Sequence, residues 1–164
     1  MRRIGVALLV TLLAGLLGPG CKQLQEKQAL RRYAKHEERV RAARRRVEAL
    51  DPELESLARA GDVARLRPLL KDRYLPAYRA WVNTLRALPA TTTRLRKIRS
   101  ALLSRLAASL EAHERFYDRL HGALPPDAWT GLERVRQAVT RAEARYQTDL
   151  DAYYGEHDLR RSRR

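Results

Sequence analysis

The sequence predicts an all-α protein: an antiparallel up-and-down bundle of about four long helices, preceded by a cleaved signal peptide. Three observations lead there. Apolar residues recur at helical spacing along most of the chain, the punctuation between these stretches consists of helix caps and stops, and nothing alternates with period two for long enough to make a strand.

Residues 22–49 place Tyr33, Val40 and Val47 seven apart, with Ala43 and Leu50 completing a narrow apolar seam. So thin a seam predicts a peripheral or partly extended helix, or one that pairs with another chain as a coiled coil. Leu50-Asp51-Pro52-Glu53 reads as a helix start, with Asp51 as N-cap and Pro52 in the first turn, and opens a short helix over 52–60. Ala60-Gly61-Asp62 stops that helix on glycine and restarts the chain on an aspartate cap. Residues 63–88 then carry Leu66, Leu70, Tyr74, Tyr78, Trp81, Leu85 and Leu88 on one face, and Pro68 and Pro76 predict a late start or a kink. Pro89 and the three threonines at 91–93 open a helix over 92–122, with Leu95, Ile98, Leu102, Leu106, Leu110, His113, Tyr117 and Leu120 on its stripe. His121-Gly122 and Leu124-Pro125-Pro126-Asp127 separate it from a last helix over 127–154, striped by Leu132, Val135, Val139, Ala142, Tyr146, Leu150 and Tyr153. Matched lengths and short connections favour antiparallel neighbours.

The N-terminus has a different character. Met1-Arg2-Arg3 precedes an apolar run from Ile4 to Leu17, ended by Gly18-Pro19-Gly20. A basic start, a short apolar stretch and a small-residue close form the layout of a secretory signal, and the run is too short to span a bilayer as a helix. Cys21 follows at once and is the only cysteine in the chain. Exported domains use cysteines in disulfide pairs, so a lone one at this position needs another explanation. With Gly20 directly before Cys21, residues 1–21 resemble a bacterial lipoprotein precursor. The resemblance implies that residues 1–20 are a signal peptide and that Cys21 is acylated, with palmitate among its chains, as the mature N-terminus. It also implies a membrane partner through that acyl anchor. Lys22 in the next position favours the outer membrane, facing the periplasm. The alternative is cleavage at Gly18-Pro19-Gly20 as an ordinary small-x-small site and a soluble periplasmic protein.

Residues 21–157 are expected to be one helical domain and 158–164 a basic disordered tail; the 144 residues after position 20 suffice for a single core. The full chain has 34 basic and 19 acidic residues, and losing Arg2 and Arg3 with the signal leaves a net charge of +13. The excess is clustered. Arg31, Arg32, Lys35, Arg39, Arg41, Arg44, Arg45 and Arg46 face only Glu37 and Glu38 in their stretch, and Arg94, Arg96, Lys97, Arg99 and Arg105 face no acid. A solvated helix face is the simple account of such runs. The functional one is an electrostatic footprint for a polyanion: anionic lipid, lipopolysaccharide, acidic glycan or nucleic acid. Arg31 lies ten residues from Cys21, about 15 Å along a helix. An acyl chain plus a polybasic segment holds a membrane more firmly than either alone.

The sequence excludes more chemistry than it offers. There is no Gly-rich phosphate loop, no Gly-x-Ser-x-Gly, no His-Glu-x-x-His and no Cys-x-x-Cys-His, and Met1 is the only methionine. Glu111, Glu114, Asp118 and His121 step +3, +4, +3 along one helix face and are weak candidates for metal binding. Di-iron bundles need Glu-x-x-His on two helices, which this chain lacks, so charge pairing with neighbouring arginines is the simpler account. His113 on the apolar stripe reads as a hydrogen-bonded core histidine. Tyr74, Tyr78, Trp81, Phe116, Tyr117, Trp129, Tyr146 and Tyr153 read as core packing, with a ligand pocket between helices as the alternative. The expectation is a non-enzymatic envelope lipoprotein without cofactor that docks on another envelope component, most simply a protein; the alternative is a polyanion-binding module using the arginine-rich faces.

Overall fold

The computed structural model describes residues 19–124 and 126–160. The expected signal segment up to Gly18, the side chain of Cys21 and the end of the basic tail lie outside them. The protein is all-helical. α1 spans Pro19–Glu48, α2 Asp51–Ala60, α3 Val63–Pro68, α4 Leu75–Arg86, α5 Thr93–Arg119 and α6 Pro126–Gly155, and a π-helical turn over Leu69–Tyr74 joins α3 to α4. Among the described residues no strand forms, only an isolated bridge between His121 and Ala123. No described helix is long and apolar enough to cross a membrane.

The caps explain the breaks. Gly61 adopts φ +66°, a left-handed conformation that costs glycine little, and its N–H closes α2 onto Ala58. Asp62 accepts a bond from the Arg65 N–H and starts α3, and Thr92 accepts from the Leu95 N–H and starts α5. Asp51 differs from its expected role: Leu50 is the capping residue, and the Asp51 carboxylate is freed to bind side chains. The two prolines do not break the second long helical stretch. Pro68 ends α3 and Pro76 sits in the first turn of α4, with the π turn between them. A proline at 76 offers no N–H to the carbonyl one turn back and crowds it; widening that turn by one residue relieves the conflict without stopping the helix.

One core runs through the molecule. α5 packs along α6, α4 along α5, and α1 along α4. Leu30, Leu54, Leu66, Leu70, Leu85, Leu95, Leu106, Leu120 and Leu150 are fully buried, each stabilising by about 1.5–3 kcal/mol relative to exposure. α1 is not the peripheral helix its thin seam suggests. Ala29, Leu30, Tyr33, Val40, Ala43 and Val47 are all buried, and the Tyr33 hydroxyl meets that of Tyr146 on α6 at 2.9 Å. Small residues let the backbone approach closely, so a narrow seam still fills its share of the core. At the other end of α6 the Tyr154 hydroxyl donates to the Leu30 carbonyl and His157 lies 3.1 Å from Glu26, fastening the chain end to the first turns of α1.

Candidate functional site

At the Glu48 end of α1 the packing leaves a cleft of about 430 Å³ between α1, α2, α4 and α6. The π turn shapes one wall by bringing Tyr74 onto the same side as Tyr78 and Trp81 of α4. Tyr74 and Tyr78 pack against the His113 ring behind them, with centroids 5.0 and 5.1 Å away, and Tyr78 lies 5.4 Å from Trp81. The His113 ring is fully buried, with Nδ1 2.7 Å from the Ser109 carbonyl and Nε2 without a hydrogen-bond partner. That geometry suits the neutral tautomer with Nδ1–H donating. Burial and the nearby Arg136 pull its pKa down to about 4, against the Ser109 bond, which raises it.

The other walls are charged. Arg136 of α6 bridges Asp51 at 2.8 Å and Glu55 at 3.0 Å, and Asp51 also accepts the Tyr74 hydroxyl at 3.1 Å. Burial pushes the Asp51 carboxyl above its usual range even so, with Arg136 and the Tyr74 bond opposing the shift. Burial likewise raises the hydroxyls of Tyr74 and Tyr78, which stay protonated donors. Arg44 of α1 pairs with Glu48 at 2.8 Å and reaches Glu143 of α6 at 2.9 Å. The Arg44 Nε contact is a charge contact without hydrogen-bond alignment. Burial is therefore the main influence on Glu143, whose pKa rises to about 7 despite Arg44, with Glu48 and Asp51 adding to the rise. Glu133 faces the same cleft. A half-desolvated carboxyl that changes charge near neutrality is a feature of ligand sites as well as of structural networks.

The structure separates the two arginine clusters. Arg31, Arg32, Lys35, Arg39 and Arg46 are exposed along the outer face of α1, opposite its buried seam, and have no partner among the described residues. Arg44 and Arg45 do not belong to that stripe: Arg44 is built into the cleft, and Arg45 pairs with Glu38 at 2.8 Å. In the second cluster Arg94 forms a forked ion pair with Glu156 and lies over the Tyr153 ring. Arg96 donates to the Thr91 carbonyl and Thr93 hydroxyl, and Arg99 donates to the carbonyls of Arg86 and Leu88. Lys97 and Arg105 there are exposed and without such a bond among the described residues. The metal candidates do not converge either. Glu111 pairs with Arg115 and Glu114 is held by Arg79 of α4, while Asp118 and His121 are exposed. Among the described residues no three metal-ligating side chains come together.

No protein-family model matches this chain, and no curated protein and no solved structure matches it.

Proposed function

We propose that the chain is a non-enzymatic lipoprotein of the cell envelope, anchored through Cys21 on the periplasmic side of the outer membrane, whose helical domain docks on another envelope component. The observation that carries this reading is the continuity of α1. The backbone of Cys21 lies within the same unbroken helix that is built into the core from Ala29 onward. No linker separates anchor from domain, so the cleft beside Val47 stands about 39 Å along the helix from the acylation point. An anchored chain would thus hold this cleft at a fixed distance from the membrane.

The arrangement of the helices is read as an antiparallel up-and-down bundle. Arg94 at the start of α5 meets Glu156 beyond the end of α6, and Phe116 late in α5 lies against Trp129 early in α6. Arg79 of α4 reaches Glu114 late in α5 while Arg99 early in α5 caps the end of α4. Leu30 and Arg44 of α1 meet Tyr154 and Glu143 of α6 in the reverse order. All three pairs support opposed directions.

Two measurements test the reading. Cys21→Ala should abolish palmitate labelling and release the protein from the membrane fraction; full retention of label would overturn the anchor. Immobilised residues 22–164 should capture a discrete envelope protein that stays bound at high salt. A second reading, a polyanion-binding module, is favoured by the unpaired stripe of Arg31, Arg32, Lys35, Arg39 and Arg46. It predicts retention of lipopolysaccharide, glycan or nucleic acid instead, lost as salt rises.

A further inference from the structure

We infer that the cleft at the Glu48 end of α1 is a binding site for a small organic cation: an amidinium, guanidinium or ammonium group carried on an apolar body. Its charge is opposite to that of the molecule around it. The chain carries a net +15, yet five carboxylates line this cleft against three arginines. All three arginines are already engaged, Arg44 with Glu48 and Glu143, and Arg136 and Arg59 with Glu55. Two acidic groups remain available. Glu133 has no partner among the described residues, and Glu143 gives only Oε1 to Arg44.

The remaining lining suits the rest of such a ligand. Tyr74, Tyr78 and Trp81, each nearly fully buried, line one side of the cleft and give it an aromatic wall suited to a cation on an apolar body. The volume falls in the range of small-molecule sites. An anion of the same shape would meet like charge on three sides and lose its hydration without compensation. The cleft therefore selects by charge sign, and it is distinct in place and sign from the basic stripe on the outer face of α1.

Occupancy is linked to pH through Glu143. The groups facing it are Arg44 and Glu48 from α1, Asp51 and Glu55 from α2, Tyr78 from α4, and Arg136 and Glu133 on its own helix. Its pKa of about 7 makes it the group whose charge changes between pH 6 and 8; the raised Asp51 carboxyl acts in the same direction at lower pH. The ionised fraction of Glu143 falls about tenfold from pH 8 to pH 6, and cation affinity falls with it.

Calorimetric titration of the full chain in detergent with benzamidinium, benzamide and benzoate tests the assignment. The expected result is saturable binding of benzamidinium alone, about tenfold weaker at pH 6 than at pH 8. Glu143→Gln should abolish that pH ratio, and Glu133→Gln should weaken binding equally at both pH values; unchanged circular dichroism confirms that each variant folds. Tighter binding of a capped arginine than of benzamidinium assigns the group to a protein side chain, and the reverse order to a free small molecule. Equal binding of benzamide or benzoate, no saturable binding at either pH, or a pH ratio that survives Glu143→Gln would overturn the inference.

Discussion

Two arginine-rich stretches look alike as sequence and do opposite things in the molecule. Residues 94–99 spend their charge inward: Arg94 holds Glu156, and Arg96 and Arg99 bind backbone carbonyls around the turn between α4 and α5. Residues 31–46 split. The arginines that face α6 or Glu38 are tied, while Arg31, Arg32, Lys35, Arg39 and Arg46 are exposed and meet no partner among the described residues. What separates the two groups is not their density of charge but what the fold brings opposite them. A helix whose outer face looks onto solvent keeps its charges free for another molecule. A helix start beside an unsatisfied helix end uses them as caps, because the last carbonyls of α4 lack intrahelical donors.

The comparison is sharpest at its inner extreme, Arg136, whose side chain is 18% exposed. Removing it leaves Asp51 and Glu55 facing each other in a partly buried site. Arg136→Met should therefore cost about 3 kcal/mol at neutral pH, read from urea denaturation. The cost should shrink toward pH 4.5, where the orphaned carboxyls take up protons. An equal loss at both pH values would mean that Arg136 acts through packing on Trp129 rather than through charge.

His113 and Glu143 form a second test, because burial moves them in opposite directions. The His113 pKa is lowered from 6.5 to about 4, so the folded state binds fewer protons than the unfolded one between those values, and stability is lost as pH falls through them. Glu143 is raised from 4.5 to about 7, so its contribution is lost as pH rises through that window. Each span corresponds to a few kcal/mol, about 3. The two slopes offset each other between pH 4.5 and 6.5. His113→Phe should convert a nearly flat profile into one that gains stability on acidification, and Glu143→Gln should tilt it the other way. Parallel changes in both variants would show that neither group carries the linkage.

Much of the fold was legible because helix punctuation is local chemistry. Gly61, Asp62 and Thr92 each act within three or four residues of their own position, so their roles can be read without tertiary knowledge. The weight of α1 in the core was not legible, since Ala29 and Ala43 contribute by close approach rather than by size. Of the cleft, only the aromatic wall was visible, as the stripe of Tyr74, Tyr78 and Trp81. Its charged half draws on Arg44, Asp51, Arg136 and Glu143, residues up to 99 positions apart that no spacing rule connects. The outward signal was the run Glu48, Asp51, Glu53 and Glu55, four acids with no base among them, which reads locally as the start of α2 and does not mark a site by itself.

Between the extremes lies Arg99, half-buried and bonded to the Arg86 and Leu88 carbonyls at 3.1 and 2.5 Å. Arg99→Met should cost about 1–2 kcal/mol, the typical loss when a charged donor leaves partly buried acceptors unmatched. Lys97→Met, two residues away and without such a bond, should leave the denaturation midpoint unchanged. If the two variants behave alike, the capping role of the second cluster fails.

The smallest effect on stability should come from the outer stripe, and there the comparison turns functional. Replacing Arg31, Arg32 and Lys35 by Gln removes no contact among the described residues, so stability should move by no more than about 0.5 kcal/mol per site. The same change removes three charges from the part of α1 nearest the acylation point. Each basic residue near an anionic surface adds about 1 kcal/mol of attraction, so three are worth roughly a hundredfold in partitioning. Sedimentation with anionic vesicles, measured on a Cys21→Ala background to remove the acyl chain, should therefore be lost in the triple variant. It should survive when Arg96 and Lys97 are neutralised, although that change removes similar charge from a similar-looking run. Retained sedimentation in the triple variant would mean that Arg31, Arg32 and Lys35 are solvated surface alone, and that other parts of the chain hold the anionic vesicles.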